Sequence, residues 1–492
     1  MKKLLTVFFF TFSLSSYGQI TFQKSFTTGV GYCVHQTIDS GYIVIGTIYP
    51  AGAGNTIDVS LIKTNQYGDT LWTRTFGLNN YDYAYTGQQT SDGGYIIAGG
   101  TENPGDYLYL IKTNNTGDTL WTKIIKDVGG GTSMLQTSDS GYVITGTVGS
   151  WVYLIKVDGS GEVLWEKSYG LSGGYDISGR CVRQTSDNGF IIVSDTYREN
   201  SGGTNIYIIK TDRSGDTLWT KNMSESGHDL ATSILQTFDG NYIVSGQTSN
   251  SFLNTSYHYL MKLNSIGDTL WTKNYDRNMD PSFIQQTIDS GFIITGANSL
   301  LKTNATGEII WSTSIDFTET YFVEQTFDGG YIISGGTVAY THLIKMDAYG
   351  HTGCNMNNTT TVVGTFNVSN INSDKYVWTG NATSSSTNTI VGHRGKATDL
   401  CSITNTSEVF NIKNKIVIYP NPFHNLCTFQ ISSEFENGGL KIYNELGILM
   451  RKEKIIRESS FNFFRNELTN GIYFVQFLND KGNIANAKLI IE

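Results

Sequence analysis

The sequence predicts an all-β protein in which most of the chain forms a closed ring of four-stranded sheets. A motif of the form Gln-Thr-x-Asp, with an aromatic residue three positions after the Asp, recurs seven times at intervals of about 50 residues. Each copy holds four short strand-like runs separated by Gly, Asn and Asp turns. The motif begins at Gln36, Gln89, Gln136, Gln184, Gln236, Gln286 and Gln325.

The two ends of the array indicate how the ring closes. The seventh repeat reaches Gly350 without the Leu-Trp strand that completes the other repeats. Ahead of the first repeat, Phe22–Phe26 aligns with the fourth strand of that repeat, Trp72–Phe76. We therefore predict a seven-bladed β-propeller over residues 19–353, with the N-terminal strand completing the last blade. Such closure removes exposed sheet edges.

The composition is typical of a β-strand protein, and the charge argues against nucleic acid as a partner. Charged residues make up 16% of the chain and aromatic residues 13%, with 54 glycines. This balance favours half-buried strands joined by tight turns. The net charge is −9 and no basic run is present, so we expect no nucleic-acid partner.

Residues 1–18 have the pattern of a secretory signal peptide. Lys2 and Lys3 precede an apolar run from Leu4 to Phe12, and small residues follow up to Gly18. The apolar run is too short to span about 30 Å of hydrocarbon. We expect export and no integral membrane segment in the mature protein.

Residues present in nearly every repeat are interpreted as structural. An Asp in a tight turn accepts hydrogen bonds from nearby backbone N–H groups, and one Trp per blade fills the wedge between sheets. A single functional site must break the repetition. The recurring Asp residues are Asp39, Asp92, Asp139, Asp187, Asp239, Asp289 and Asp328, and the tryptophans are Trp72, Trp121, Trp165, Trp219, Trp271 and Trp311.

Alternation along the strands sorts the loops onto two faces of the ring. The Asp turns and the Gly-Asp hairpins share a uniform face, whereas the second-to-third-strand loops and the interblade links share a variable face. Binding residues on rigid scaffolds concentrate in variable loops. The candidate ligand-binding residues on this variable face are Tyr49, Tyr81, Asp82, Tyr83, Tyr175, Asp176, Arg198 and Tyr257.

No catalytic motif is recognisable. The seven histidines form no HxH or HExxH pair, and neither a GxSxG elbow nor a P-loop occurs. Carboxylates from distant blades could still form a glycosidase pair. Asp82, Asp176 and Asp229 recur at similar offsets, which favours loop structuring over catalysis. The turns lack the dense DxDxDG series of calcium loops, so we expect no cofactor and no metal.

Residues 354–415 form a connector rich in Ser, Thr and Asn, which predicts a loosely structured polar segment. Short strands are expected at Thr361–Phe366 and Tyr376–Trp378. Cys354 and Cys401 flank the connector, and a disulfide between them is one of two open alternatives in an exported protein. Cys33 and Cys181 occupy equivalent repeat positions and are expected to be buried.

Residues 416–492 predict a small β-sandwich, with alternating apolar runs and turns. This segment closely resembles the type A C-terminal sorting domain of the type IX secretion system in Bacteroidetes. The motif residues are Tyr419, Pro420, Asn421, Pro422, Gly447, Gly471, Tyr473 and Lys488. The resemblance implies recognition by the type IX secretion machinery, passage across the outer membrane, removal of the domain, and a secreted or cell-surface product.

The repeats also resemble secreted propeller repeats that accompany such sorting domains, and they depart from Asp-box repeats. The leading functional hypothesis is a non-enzymatic binding or adhesion propeller for a glycan or a surface protein. One alternative is a polysaccharide-active hydrolase or lyase with carboxylates on the variable face. A structural surface-layer component is a third hypothesis.

Overall fold

In the computed structural model every regular element of the described residues is a β-strand. The described residues are 19–27, 29–49, 56–78, 81–102, 106–171, 175–198, 203–224, 228–250, 255–275, 281–315, 319–337, 339–352, 356–358, 369–370, 375–378, 384–386, 390–392, 397–399, 416–419, 426–431, 438–444, 449–456, 460–466, 468–469, 471–479 and 484–491. The predicted signal peptide, Cys354 and Cys401 lie outside these ranges, so the signal peptide and the disulfide stay predictions.

Seven antiparallel four-stranded sheets form the blades. The chain starts with β1 (Phe22–Thr27). Blades 1 to 3 consist of β2 (Val30–Gln36), β3 (Tyr42–Ile48), β4 (Asp58–Thr64), β5 (Thr70–Gly77); β6 (Asp82–Gln89), β7 (Tyr95–Thr101), β8 (Tyr107–Thr113), β9 (Thr119–Ile125); and β10 (Gly131–Gln136), β11 (Tyr142–Val148), β12 (Trp151–Val157), β13 (Val163–Leu171).

The remaining blades repeat the pattern. Blades 4 to 6 consist of β14 (Tyr175–Gln184), β15 (Phe190–Arg198), β16 (Thr204–Thr211), β17 (Thr217–Ser224); β18 (His228–Gln236), β19 (Tyr242–Asn250), β20 (Thr255–Leu263), β21 (Thr269–Tyr275); and β22 (Pro281–Gln286), β23 (Phe292–Gly296), β24 (Ser299–Thr303), β25 (Ile309–Ile315). Blade 7 supplies β26 (Glu319–Gln325), β27 (Tyr331–Thr337) and β28 (Tyr340–Met346).

The ring closes as the sequence predicts. Strand β1 pairs antiparallel with β28, from Phe22 opposite Lys345 to Thr27 opposite Tyr340, and so becomes the fourth strand of blade 7. The first strand of every blade contacts the first strands of both neighbouring blades, including β2 with β26. The first strands therefore form the inner edge of the ring and line its central channel. The prediction of a seven-bladed propeller is confirmed.

The recurring motif residues build each blade. In blade 1, Asp39 accepts hydrogen bonds from the Thr37 hydroxyl (2.6 Å) and the Gly41 backbone N–H (3.1 Å). The buried Lys63 ammonium, from the third strand, lies 2.9 Å from the same carboxylate. All seven blades contain this ion pair, which ties the first turn to the third strand. The structural interpretation of the recurring Asp residues is confirmed.

Gln and Trp join neighbouring blades. The Gln36 side-chain oxygen accepts from the Phe327 backbone N–H of blade 7 (2.7 Å), and five other motif glutamines make the equivalent bond. Trp72 lies edge-on against Tyr95 of blade 2, with ring centroids 5.8 Å apart. The same Trp packs under Gly117, where a Cβ would come within 2.8 Å of the indole. The predicted wedge role of Trp is thus confirmed.

The sequence predicts a loosely structured connector, but the structure shows six short strands there. They are β29 (Met356–Asn358), β30 (Ser369–Asn370), β31 (Lys375–Trp378), β32 (Ser384–Ser386), β33 (Ile390–Gly392) and β34 (Ala397–Asp399). They pair antiparallel with the outer strands of blades 6, 4, 3, 2, 1 and 7 in turn. The connector thus winds around the ring against the order of the blades. We call these six strands the belt.

Backbone pairing explains why composition missed the belt. Its strands span two to four residues and add a fifth strand to sheets that already exist. A polar segment can satisfy its backbone groups on such an edge without burying apolar side chains. The predicted strand at Tyr376–Trp378 is present, whereas the one at Thr361–Phe366 lies outside the described residues.

The C-terminal residues form a separate β-sandwich, as predicted. One sheet contains β35 (Ile416–Tyr419), β36 (Leu426–Ile431) and β39 (Ser460–Phe464). The other contains β37 (Gly438–Asn444), β38 (Leu449–Ile456), β40 (Gly471–Asn479) and β41 (Ile484–Ile491). Side chains of both sheets, among them Phe429, Phe463, Tyr473 and Leu489, share one buried core.

Four residues of the predicted sorting motif are described. Tyr419 ends β35, Gly471 begins β40, and Lys488 of β41 pairs with Phe474. The buried Tyr473 donates from its hydroxyl to the Thr469 carbonyl (2.8 Å). Pro420, Asn421, Pro422 and Gly447 lie outside the described residues. Within the described part of the chain, no helix is long and apolar enough to cross a membrane.

Candidate functional site

A β-bulge recurs in the first strand of all seven blades, close to the variable face. In each blade the pairing with the second strand skips one residue, which stands four positions before the motif Gln. A bulge leaves its extra residue unpaired and re-aims the side chain. The seven bulge residues are Tyr32, Tyr85, Thr132, Arg180, Thr232, Ser282 and Tyr321. Backbone geometry therefore repeats at this position while the side chain varies.

The bulge tyrosines of blades 7, 1 and 2 form a row at the channel mouth. The Tyr32 ring lies 5.2 Å from Tyr321 and 6.1 Å from Tyr85, centroid to centroid. Tyr85 stacks on Tyr83 at 6.0 Å with an interplanar angle of 7°, and Tyr83 lies 6.4 Å from Tyr81. We call these five residues the tyrosine arc. It presents a continuous aromatic surface across three blades.

A polar cavity of about 420 Å³ adjoins one end of the tyrosine arc, between blades 2 and 3. Tyr83 and Tyr85 form one wall, and the Glu102 and Asp106 side chains belong to the second-to-third-strand loop of blade 2. Gly129 and Gly130 line another part of the cavity without side chains, and the bulge residue Thr132 also contributes. The cavity therefore combines aromatic rings, carboxylates and open backbone at one place on the variable face.

The hydroxyls of Tyr32, Tyr83, Tyr85 and Tyr321 stay protonated at neutral pH, because the pKa of each is raised. Burial raises the pKa of Tyr83 to about 12, and the nearby Glu102 carboxylate adds to the shift. Burial also raises the pKa values of Tyr32 and Tyr321, and Tyr49 contributes to both. The Tyr321 hydroxyl donates to Glu319 (2.5 Å). These four residues thus offer neutral phenols, which donate and accept hydrogen bonds as well as stack.

In blades 3 and 4, beyond the tyrosine arc, the bulge residues are the smaller Thr132 and then the cationic Arg180. The Thr132 hydroxyl donates to the Gly179 carbonyl of blade 4 (2.9 Å), next to Arg180. The Arg180 Nε donates to Asp195 (2.6 Å), and the Arg180 side chain is 47% exposed whereas Asp195 is buried. The other Asp195 oxygen accepts from the Ala231 backbone N–H of blade 5 (2.8 Å). Asp195 therefore holds Arg180 in place and links blades 4 and 5.

Three residues predicted to bind ligand fall on or beside the tyrosine arc. Tyr81 and Tyr83 belong to it, and Tyr49 lies close enough to raise the pKa of Tyr32 and Tyr321. Asp82 is fully buried and accepts from the Leu78 backbone N–H (2.6 Å). Its carboxylate structures the interblade loop, so we leave Asp82 out of the proposed contact surface.

The other four predicted residues lie on blades 4 and 5. Tyr175 pairs with Arg198 through the backbone, and Asp176 pairs with Tyr197, at the variable ends of β14 and β15. Tyr257 pairs with Thr248 in blade 5 and is half-buried. The structure describes the backbone of Tyr175, Asp176 and Arg198 but not their side chains, and no described contact joins these residues to the arc.

The sequence interpretation did not identify Tyr32, Tyr85, Tyr321, Glu102 or Arg180. A signal was present, because the position four residues before the motif Gln is the one that changes among Tyr, Thr, Arg and Ser. The functional meaning of this variation depends on the β-bulge, and the alternation of residues along a strand does not reveal a bulge. Among the described residues, no group of three His, Cys, Asp or Glu side chains is placed to hold a metal ion.

Residues 417–492 match the family model described as the secretion system C-terminal sorting domain. A search of curated proteins found no match. The sorting domain agrees with the resemblance seen in the sequence. The chain is accordingly exported by the type IX secretion system and is secreted or displayed on the outer cell surface.

Solved structures similar to this chain include other propeller proteins. A protein of unknown function from Bacteroides caccae is 12% identical, covering 54% of this chain and 94% of its own, with a TM-score of 0.38. The WD40 β-propeller domain of Doa1 is 13% identical over 65% and 97% of the two chains, with a TM-score of 0.42.

PorZ, a surface component of the type IX secretion system of Porphyromonas gingivalis, is also similar. It is 9% identical over 92% of this chain and 58% of its own, with a TM-score of 0.44. The present chain therefore matches little more than half the length of PorZ. The fold assignment rests on the sheet topology of the chain itself.

Proposed function

We propose that the propeller is a glycan-binding module of the cell surface, and that the tyrosine arc is its binding surface. The observation that carries this proposal is the continuity of five tyrosine rings across blades 7, 1 and 2, ending at a polar cavity. Aromatic faces pack against the apolar faces of sugar rings, while phenol, carboxylate and backbone groups bond their hydroxyls.

Exposure and position both support this assignment. Tyr85 is 39% exposed, whereas tyrosines of the blade core such as Tyr95 and Tyr109 are 1% exposed. The arc also lies where the repeated bulge allows side chains to vary without altering the blades. A rigid scaffold carrying variable polar and aromatic side chains is typical of recognition surfaces.

A screen of the full chain against a glycan array tests the proposal, with parallel assays for release of reducing ends. Binding without turnover supports a glycan-binding module. Binding to no glycan would contradict it and would favour a surface-protein ligand.

One observation favours a second candidate, a polysaccharide hydrolase. Glu102 and Asp106 line the same cavity, and glycoside hydrolysis uses a pair of carboxyl groups. New reducing ends that disappear in a Glu102→Gln, Asp106→Asn double variant would establish this activity. Unchanged release in the double variant would instead exclude Glu102 and Asp106 as the catalytic pair.

A further inference from the structure

A hydrogen-bonded chain of Cys, His and Glu side chains connects blades 7 and 1, apart from the tyrosine arc. The Cys33 sulfur lies 3.2 Å from Nε2 of His35. The other ring nitrogen, Nδ1, lies 2.5 Å from the Glu324 carboxylate. A nucleophile, a base within hydrogen-bond reach and a third group that orients the base form the arrangement of an activated thiol.

We infer that Cys33, His35 and Glu324 form a reactive thiol site. The imidazolium of His35 stabilises the Cys33 thiolate, and this thiolate reacts with small electrophiles such as hydroperoxides. Glu324 fixes the ring orientation and favours the charged imidazole. With both nitrogens protonated, His35 donates to Glu324 through Nδ1 and to the sulfur through Nε2. This inference does not depend on the proposed glycan-binding function.

Two effects on the thiol act in opposite directions. The Gly87 carbonyl lies 3.3 Å from the sulfur and accepts only, so it favours the protonated thiol. The imidazolium at a similar distance carries a full positive charge, whereas the carbonyl oxygen carries only a partial negative charge. The imidazolium contact therefore has to offset both the carbonyl and the burial of the sulfur, which is 2% exposed. Burial alone lowers the pKa of His35, yet Cys33 and Glu324 outweigh burial and raise it well above its usual value.

The low solvent exposure of the Cys33 sulfur restricts which reagents can reach it. Cys33 is 2% exposed, while the His35 and Glu324 side chains are 25% and 18% exposed. Solvent therefore reaches the imidazole and the carboxylate but hardly the sulfur, so we expect only small reagents to react there. Phe322 packs edge-on against the His35 ring, with centroids 5.0 Å apart, and helps to hold it in place.

The chemical step with a hydroperoxide balances without a further reagent. The thiolate attacks the terminal oxygen, an S–O bond forms and the O–O bond breaks. Cys33 is oxidised to a sulfenic acid and the peroxide is reduced. The departing alkoxide or hydroxide takes the proton from His35.

Blade 4 contains a matched control. Cys181 occupies the equivalent position three residues before its motif Gln and is 4% exposed. Its sulfur contacts the Ser233 hydroxyl and the Ile234 carbonyl instead of a histidine. The residue two positions later is Arg183, which bonds Val182 and Ser133. Two thiols of similar burial thus differ mainly in the His–Glu pair.

The test is alkylation of the folded full chain by iodoacetamide between pH 6 and 9, with both cysteines followed by mass spectrometry. We expect Cys33 to react at least about tenfold faster than Cys181 at pH 6, with a nearly flat pH profile. Hydrogen peroxide should give a trappable sulfenic acid at Cys33 first. Equal rates at the two cysteines, or a Cys33 rate that rises tenfold per pH unit like an ordinary thiol, would overturn the inference.

A His35→Gln variant separates activation from accessibility. The Cys33 rate at pH 6 should fall to that of Cys181, while the Cys181 rate in the same molecule stays unchanged and so reports an intact fold. A Glu324→Gln variant should give an intermediate rate, because the imidazole remains but loses its carboxylate. A Cys33 rate that is unaffected by both variants contradicts the proposed role of His35.

Discussion

The rings of Tyr32 in blade 1 and Tyr321 in blade 7 lie 5.2 Å apart, at the junction where the first and last blades meet. The two residues are distant in sequence, and both are the extra residue of a β-bulge. Ring closure therefore does more than remove sheet edges. It also assembles the tyrosine arc from opposite ends of the array.

Packing of Trp72 beneath the blade 2 hairpin predicts unequal costs for two glycine substitutions. Gly93 and Gly117 have the same positive φ of 80°, but a Cβ at Gly93 meets open space and one at Gly117 lies 2.8 Å from Trp72. We expect Gly93→Ala to cost about 1 kcal/mol of unfolding free energy, from backbone strain alone. Gly117→Ala should cost about 1–3 kcal/mol more. Denaturant unfolding measures both, and equal losses would contradict the wedge contact.

The Asp–Lys pairs predict a loss of stability in acid. The Lys156 ammonium and the Thr137 hydroxyl outweigh desolvation and lower the pKa of Asp139 from 3.8 to about 2. A depressed pKa contributes stability above the unfolded value, and this contribution disappears as the pH falls through the folded value. Wild type should therefore lose its advantage over Asp139→Asn between about pH 4 and 2. A difference independent of pH in urea titrations would refute this assignment.

The His35–Glu324 pair predicts the opposite pH dependence. Burial lowers the His35 pKa, but Cys33 and Glu324 raise it above the usual value of 6.5. The pair therefore contributes its full stability below that value, and the contribution disappears as the pH rises through the folded pKa. The stability difference between wild type and Glu324→Gln should shrink from pH 6 toward alkaline pH. Denaturation midpoints across this range test the prediction, and a growing difference would exclude it.

Because the belt pairs with the outer strands of the blades, we predict that the stable propeller unit includes the connector. A chain ending after Asp399 keeps all six belt strands, whereas one ending after Thr352 exposes the outer edges of at least six blades. We expect the shorter chain to melt at a lower temperature and to aggregate more readily, because unpaired edges template association. Differential scanning calorimetry and light scattering compare the two. Identical melting and solubility would show that the belt adds nothing to the ring.

Blade architecture could be predicted from the sequence because each motif residue makes the same kind of contact from repeat to repeat, within its blade or to the neighbouring one. Asp39, Gln36 and Trp72 act through contacts that recur in the other blades, so repetition alone revealed them. The belt could not be predicted, since its pairing uses the backbone of short polar strands. Tyr32 and Tyr321, like His35 and Glu324, come together only when the ring closes, and local patterns contain no information on such contacts.

The most direct test of the account is the affinity of the full chain for a glycan that binds in the array, before and after removal of the tyrosine arc. A Tyr32→Ala, Tyr85→Ala, Tyr321→Ala variant removes three rings, and Tyr349→Ala removes a 73% exposed tyrosine from the turn after the third strand of blade 7, on the uniform face. At about 0.5–1.5 kcal/mol per ring, the triple variant should lose roughly tenfold or more in affinity, while Tyr349→Ala binds like wild type. Unchanged binding by a folded triple variant would contradict the tyrosine arc as the binding surface.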